Sequence, residues 1–136
     1  MLYGLVGVGG FGREVIPVAK QMLSAAHGES GFELVFVGMA AEAGTEVNGY
    51  RVITEEQFFA DDREKKFNVA VADPYLRERI SNDFVDRGAV PFSVRSGNHV
   101  CMDENDVGAG AILCPFVTIT SNATIGRFFH ANIYSY

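Results

Sequence analysis

The sequence is poor in cysteine, has no tryptophan and contains no long apolar run. Cys101 and Cys114 are its two cysteines, too few for a disulfide framework or a cysteine metal site, so reduced thiols in a cytoplasmic setting are expected. No stretch approaches the ~18 consecutive apolar residues of a membrane helix, and no membrane insertion is expected. Met1 to Val8 reads as an apolar strand rather than a charged leader. Basic residues are also scarce. Lys plus Arg number 11 against 17 Asp plus Glu, for a formal net charge of −6, which excludes the basic face that nucleic-acid binding needs. What is present is a chain of 136 residues, 48% of them hydrophobic. That excludes disorder and allows one ordinary domain, or a small one joined to part of another. Charge itself thins out toward one end: from Val107 onward the only charged side chain is Arg127. Two kinds of structure are therefore expected in one chain.

The front reads as alternating strands and helices. Leu2 to Val8 is a short apolar run ending in glycines, as suits a strand buried on both faces of a parallel sheet. Val15, Ile16, Val18, Ala19, Met22, Leu23 and Ala26 then recur at helical spacing until His27-Gly28, with Pro17 expected to bend or restart the first turns. Phe32 to Gly38 is a second strand, 40–49 a loop and Tyr50 to Ile53 a short strand. Thr54 caps a helix running to Ala60, with Glu55 and Glu56 at its positive end. Asn68 to Ala72 is a further strand, Asp73 and Pro74 begin a helix that Gly88 ends, and Ala89 to Val94 is the last strand. Strands separated by helices need crossover connections, so the front is an α/β layer with a mainly parallel, Rossmann-like sheet.

Gly7, Gly9 and Gly12 fit G-x-G-x-x-G between the first strand and the first helix. This spacing allows a tight turn, close approach of backbone to a phosphate, and helix amides aimed at its charge. Alone, it also suits a turn that binds nothing. Dinucleotide binding further needs an acid at the end of the second strand, where this chain reads Val37-Gly38-Met39-Ala40. Glu42 lies in the loop beyond and could reach inward, but it is not taken as that acid. A nicotinamide dehydrogenase is thereby demoted, and a phosphate-bearing ligand remains.

The back has a period of six. Val107, Leu113, Ile119 and Ile125 open successive hexads, and Ala111, Val117, Ala123 and Phe129 hold their fifth positions. Neither helix nor simple strand repeats every six residues; a hexapeptide β-helix does, with its aliphatic position facing the shaft. The expected division is thus a Rossmann-like layer for a phosphate-bearing ligand at 1–96, a connector at 97–106, and an incomplete hexapeptide β-helix at 107–136.

A layer opening with Gly-Val-Gly-Gly-Phe-Gly-Arg-Glu-Val (Gly7 to Val15), followed by Val47 to Val52, Ala72 to Arg77 and the hexads, resembles the bacterial sugar O-/N-acetyltransferases of the NeuD-like and PglD-like family along the whole chain. The resemblance implies a left-handed parallel β-helix after the layer. It also implies trimers that move acetyl from acetyl-coenzyme A to a nucleotide-linked sugar in surface glycan synthesis. The front domain holds the nucleotide-sugar, and coenzyme A lies along the β-helix between subunits. Carried over by position, Gly9, Gly10, Phe11, Gly12, Arg13 and Asn132 are the expected substrate-binding residues. Phe11 stands where many members have histidine, and Met39 and Ala40 stand in place of their acidic pair.

The family's catalytic histidine lies beyond the segment matching Asn132 to Tyr136. The expectation is therefore a C-terminally truncated chain that binds nucleotide-sugar, lacks the catalytic base, is inactive alone and does not bind acetyl-coenzyme A. His130, at what the hexads mark as a turn position, is given no catalytic role, and no metal site is expected. A homo-oligomer is expected; the alternative is a non-catalytic nucleotide-binding or assembly module. His27 and His99 read as solvated loop residues and Arg77, Glu78 and Arg79 as a solvated helix face. Asn122-Ala-Thr reads as a β-helix turn rather than a glycosylation site.

Overall fold

A computed structural model describes residues 1–136. Its centre is β1 (Leu2–Val6), whose alternate side chains serve two cores, as the period of two in a strand requires. Tyr3 and Leu5 face one side and Leu2 the other. Around it lie β2 (Glu33–Gly38), β3 (Glu46–Val47), β4 (Tyr50–Thr54), β5 (Lys65–Val69) and β6 (Val90–Pro91), in the sheet order β3-β4-β2-β1-β5-β6. All neighbours run parallel except β3 and β4, which form a short antiparallel ribbon; β3 lies within the segment expected to be a loop, while β4 is the expected short strand. The chain moves outward from β1 through β2 to β4 and then returns to place β5 on β1's other flank. The strand order thus reverses beside β1, where ligands of open α/β sheets bind, at the carboxyl ends of the strands.

Helix α1 (Gly10–His27) covers one face of the sheet with Val15, Ile16, Ala19 and Leu23. It runs through Pro17 without a break. Proline removes the donor that would reach the Arg13 carbonyl, but the buried residues on either side hold the turn against the sheet. Gly28 ends the helix at φ 73°, as expected. The other face carries α2 (Glu55–Ala60) and α3 (Pro74–Asp86), which bury Phe58 and Phe84. Thr54 and Gln57 form a reciprocal capping box on α2, and Asp73 accepts the backbone N–H groups of Tyr75 and Leu76 at the start of α3. Strand β5 stops at Val69, short of the expected Ala72. Inside it, buried Asn68 donates to the Phe92 carbonyl at 2.7 Å, tying the layer to the segment that leaves it.

Seven two-residue strands follow at intervals of six: β7 (Val94–Arg95), β8 (Val100–Cys101), β9 (Asp106–Val107), β10 (Ile112–Leu113), β11 (Thr118–Ile119), β12 (Thr124–Ile125) and β13 (His130–Ala131). Val94, Ile112 and His130 stand in register, as do Val100 with Thr118 and Asp106 with Thr124, all parallel. This is the start of a parallel β-helix with eighteen residues to each coil. It begins at Val94 rather than Val107. Residues 97–106, expected as a connector, belong to the first coil, so the chain makes more than two coils. Their aliphatic positions are replaced by Arg95 and Cys101, which conceals the hexads at that end. The turns lie at the fourth position of each hexad, marked by positive φ at Glu104, Gly110, Phe116, Asn122, Phe128 and Tyr134. Leu113 and Ile119 face the shaft as expected, but Phe129 at a fifth position is 40% exposed.

Layer and coil share one apolar core. Val94, Ile112, Leu113, Val117 and Ala131 join Val15, Ile16, Leu5 and Phe36 in a single cluster, with α1 between sheet and coil. On the opposite side the buried Phe128 ring meets Phe67 at 5.6 Å. No helix is long and apolar enough to cross a membrane.

Candidate functional site at the glycine loop

The four glycines of the loop divide into two kinds. A Cβ on Gly12 would overlap the Gly7 carbonyl oxygen, and one on Gly7, at φ 108°, would come within 2.7 Å of the Ala70 carbonyl oxygen. These two positions are closed by the protein itself, which needs them to bring β1, β5 and α1 together. Gly9 and Gly10 have nothing within 4 Å of where their Cβ would stand. There the missing side chains leave backbone open to a ligand. Gly9 is the N-cap of an eighteen-residue helix with no side-chain cap and no acid in its first turn. Helix amides and dipole therefore present uncompensated positive potential at an exposed glycine edge, the arrangement that receives phosphate.

The structure brings Gly9, Gly10, Phe11, Gly12 and Arg13 together on this one turn. Arg13 folds back, its Nε donating to the Val8 carbonyl at 3.1 Å. Phe11 lies against the His130 imidazole with ring centroids 4.8 Å apart. Asn132 is exposed just after β13, two residues beyond His130, so the coil enters the neighbourhood of the loop through Phe11.

His130 and Arg77 are the residues that sequence reading placed wrongly. His130 sits in strand β13, not at a turn. Its Nε2–H donates to the Val69 carbonyl at 2.8 Å and its Nδ1 accepts from Arg77 Nη1 at 3.1 Å, which fixes a neutral tautomer. Burial pushes the ring's pKa down to about 4, and the adjacent Arg77 guanidinium acts in the same direction. Arg77 is no solvated surface residue: the same nitrogen also donates to the Val71 carbonyl at 3.0 Å, and burial lowers the pKa of its guanidinium. Arg77, His130 and Phe11 thus clasp the coil to the carboxyl end of β5. No sequence signal links positions 77 and 130. His27 and His99 are also engaged, with the Tyr3 hydroxyl at 3.2 Å and the Ser96 carbonyl at 2.6 Å respectively.

Beside the glycine loop, across the carboxyl ends of β1 and β2, lies a cavity of about 380 Å³ between Val8, Gly38, Met39, Glu42, Val71 and Leu76. Glu42 does turn inward, accepting the Met39 N–H on Oε2 at 3.1 Å. The three histidines are the chain's candidate proton-transfer groups near neutrality, and none is aimed at this cavity: each holds the bonds just described.

No family model matches the chain. Its full length is nevertheless 45% identical, over 136 residues, to GDP-perosamine N-acetyltransferase of Escherichia coli O157:H7. Among solved structures it superposes on WeeI from Acinetobacter baumannii AYE with a TM-score of 0.87 at 34% identity, over 98% of this chain and 62% of that one. PerB from Caulobacter crescentus, solved in complex with CoA and GDP-perosamine, shares the fold at a TM-score of 0.78 and 21% identity, over 98% of this chain and 61% of PerB. By sequence the chain is similar to a sugar N-acetyltransferase. It spans 61% of the length of the E. coli relative, and the match takes in both the glycine loop and the hexads. The sequence-level resemblance and the parallel-sheet layer leading into a β-helix are therefore sound.

Proposed function

We propose that this chain holds a GDP-linked amino sugar, a perosamine-type acceptor, for acetyl-coenzyme A-dependent N-acetylation in surface glycan synthesis. One observation carries the reading: the open Gly9–Gly10 edge at the uncapped start of α1, in a chain 45% identical to a GDP-perosamine N-acetyltransferase. The pyrophosphate would lie at that edge, with Gly9, Gly10, Gly12 and Arg13 around it and the nucleoside in the adjoining cavity. Asn132, on the coil side, would face the sugar.

Acetyl transfer needs a base, because an ammonium must lose its proton before nitrogen attacks a thioester carbonyl. His130 is unsuited to that task, since one nitrogen donates to a carbonyl, the other accepts from Arg77, and the ring takes up a second proton only in acid. The role we assign to these 136 residues is binding and presentation of the acceptor. Acetyl-coenzyme A is the acyl donor of the proposed reaction and is not expected to bind this chain by itself. We further place the chain in the cytoplasm as a homo-oligomer, a trimer built around a left-handed hexapeptide β-helix.

Isothermal titration with GDP-perosamine and acetyl-coenzyme A tests the reading. Saturable heat with the nucleotide-sugar and none with acetyl-coenzyme A is expected. Absence of binding across GDP-, UDP- and dTDP-linked sugars overturns it.

A further inference from the structure

We propose that Glu42 selects the base, reading the donor edge of guanine in the cavity beside the glycine loop. The proposal rests on the reading that a nucleoside diphosphate occupies that loop. Strand β2 ends without an acid, but the turn after it returns a carboxylate four residues later. Glu42 Oε2 accepts the Met39 N–H at 3.1 Å, and a Cβ on Gly38 would come within 2.7 Å of that oxygen and 2.9 Å of the Val8 side chain. The glycine at 38 therefore lets the carboxylate lie across the end of β2, next to the residue that precedes Gly9. Oε1 and the second lone pair of Oε2 are left for a ligand.

The cavity has apolar walls and this one acidic edge open to it. Met39 from the β2 turn and Leu76 from α3 both line it, and they are 72% and 39% exposed. Apolar side chains held in water at a cavity mouth suit the flat face of a base. Glu55, the other acid at the rim, is occupied by an ion pair with Arg87. A carboxylate only accepts hydrogen bonds. Guanine offers N1–H and the 2-amino group side by side, matching two carboxylate oxygens. Uracil and thymine offer a single N–H between two carbonyls, which a carboxylate repels. The GDP in the E. coli relative's name agrees with this preference.

Calorimetric titration of the wild-type chain and Glu42→Gln with GDP, IDP and UDP tests the proposal; IDP lacks only the 2-amino group. The wild type is expected to bind GDP about tenfold or more tighter than IDP or UDP. Glu42→Gln should weaken GDP by about 10- to 100-fold, close the gap between GDP and IDP, and leave UDP unchanged. Glu42 is exposed, so an unaltered thermal melt of the variant should accompany the loss. Full GDP affinity in Glu42→Gln overturns the proposal, and so does an equal loss for GDP and UDP, which would put the carboxylate on the ribose. A wild-type chain that binds none of the three nucleotides overturns the glycine-loop reading as well.

Discussion

In the layer, Leu2 pairs with Lys65 across most of two crossover units. In the coil, Ile112 pairs with Val94 and His130, eighteen residues to either side. The layer carries most of the charge, and from Val107 onward the coil carries a single arginine. The layer opens its backbone to a ligand with glycines, while the coil turns its corners mostly with non-glycine residues at positive φ. The layer is thus built from long-range pairings around an open glycine edge, and the coil from a short repeat that stacks. Nevertheless they are one hydrophobic unit, because α1 lies between them and shares its core with both. The contrast teaches that the coil is the wall against which the layer is held.

The strongest way to break that view is to hollow the coil. Leu113 is fully buried in the shared cluster; Leu113→Ala should cost about 2–5 kcal/mol. In urea unfolding followed by helical circular dichroism and by a fluorescent label in the coil, the two signals should fall together. Two separated transitions would show layer and coil to be independent. Next in size, Gly12→Ala should cost about 1–3 kcal/mol through backbone overlap, whereas Gly9→Ala should stay within about 0.5 kcal/mol and instead weaken nucleotide binding. Paired denaturation and titration curves would sharpen the distinction between closed and open glycines, and equal losses of stability would erase it.

The clasp gives a pH-dependent test. His130 is neutral in the folded chain with its pKa down at about 4, while unfolded histidine titrates near 6.5. Between those values the unfolded state binds more protons, so stability is fully present above about pH 6.5 and is lost as pH falls toward 4. Discounted for the ring's partial exposure, the loss should be on the order of 1–2 kcal/mol. Urea midpoints at pH 7 and pH 4.5 should differ more for the wild type than for His130→Gln. The smallest effect is expected at a corner: Glu104, exposed at φ 56°, replaced by glycine should gain up to about 1 kcal/mol, visible as a raised melting temperature.

Much of this was legible in the sequence. Thr54, Asp73, Pro74 and Gly28 marked element ends because capping chemistry is local. The hexads from Val107 were legible because the shaft demands an aliphatic residue at a fixed interval. The first coil was hidden where Arg95 and Cys101 replace that residue, and α1 continued through Pro17 because tertiary burial outweighed one lost hydrogen bond. The glycine loop was visible as a motif, but which of its glycines are closed by Ala70 and Gly7 and which are open depends on where β5 lies. The Arg77–His130 contact joins residues 53 positions apart, and neither side chain carries a local mark of it.

The eighteen-residue register of the coil has a consequence for how its length can change. Each corner sits at the fourth position of its hexad, and each strand stands over one from the previous coil. Adding or removing a single residue would swing every later aliphatic side chain out of the shaft and carry His130 away from Val69. Gains and losses of chain in this region are therefore quantised: whole coils pass unnoticed by the layer, while anything less is felt at the end of β5.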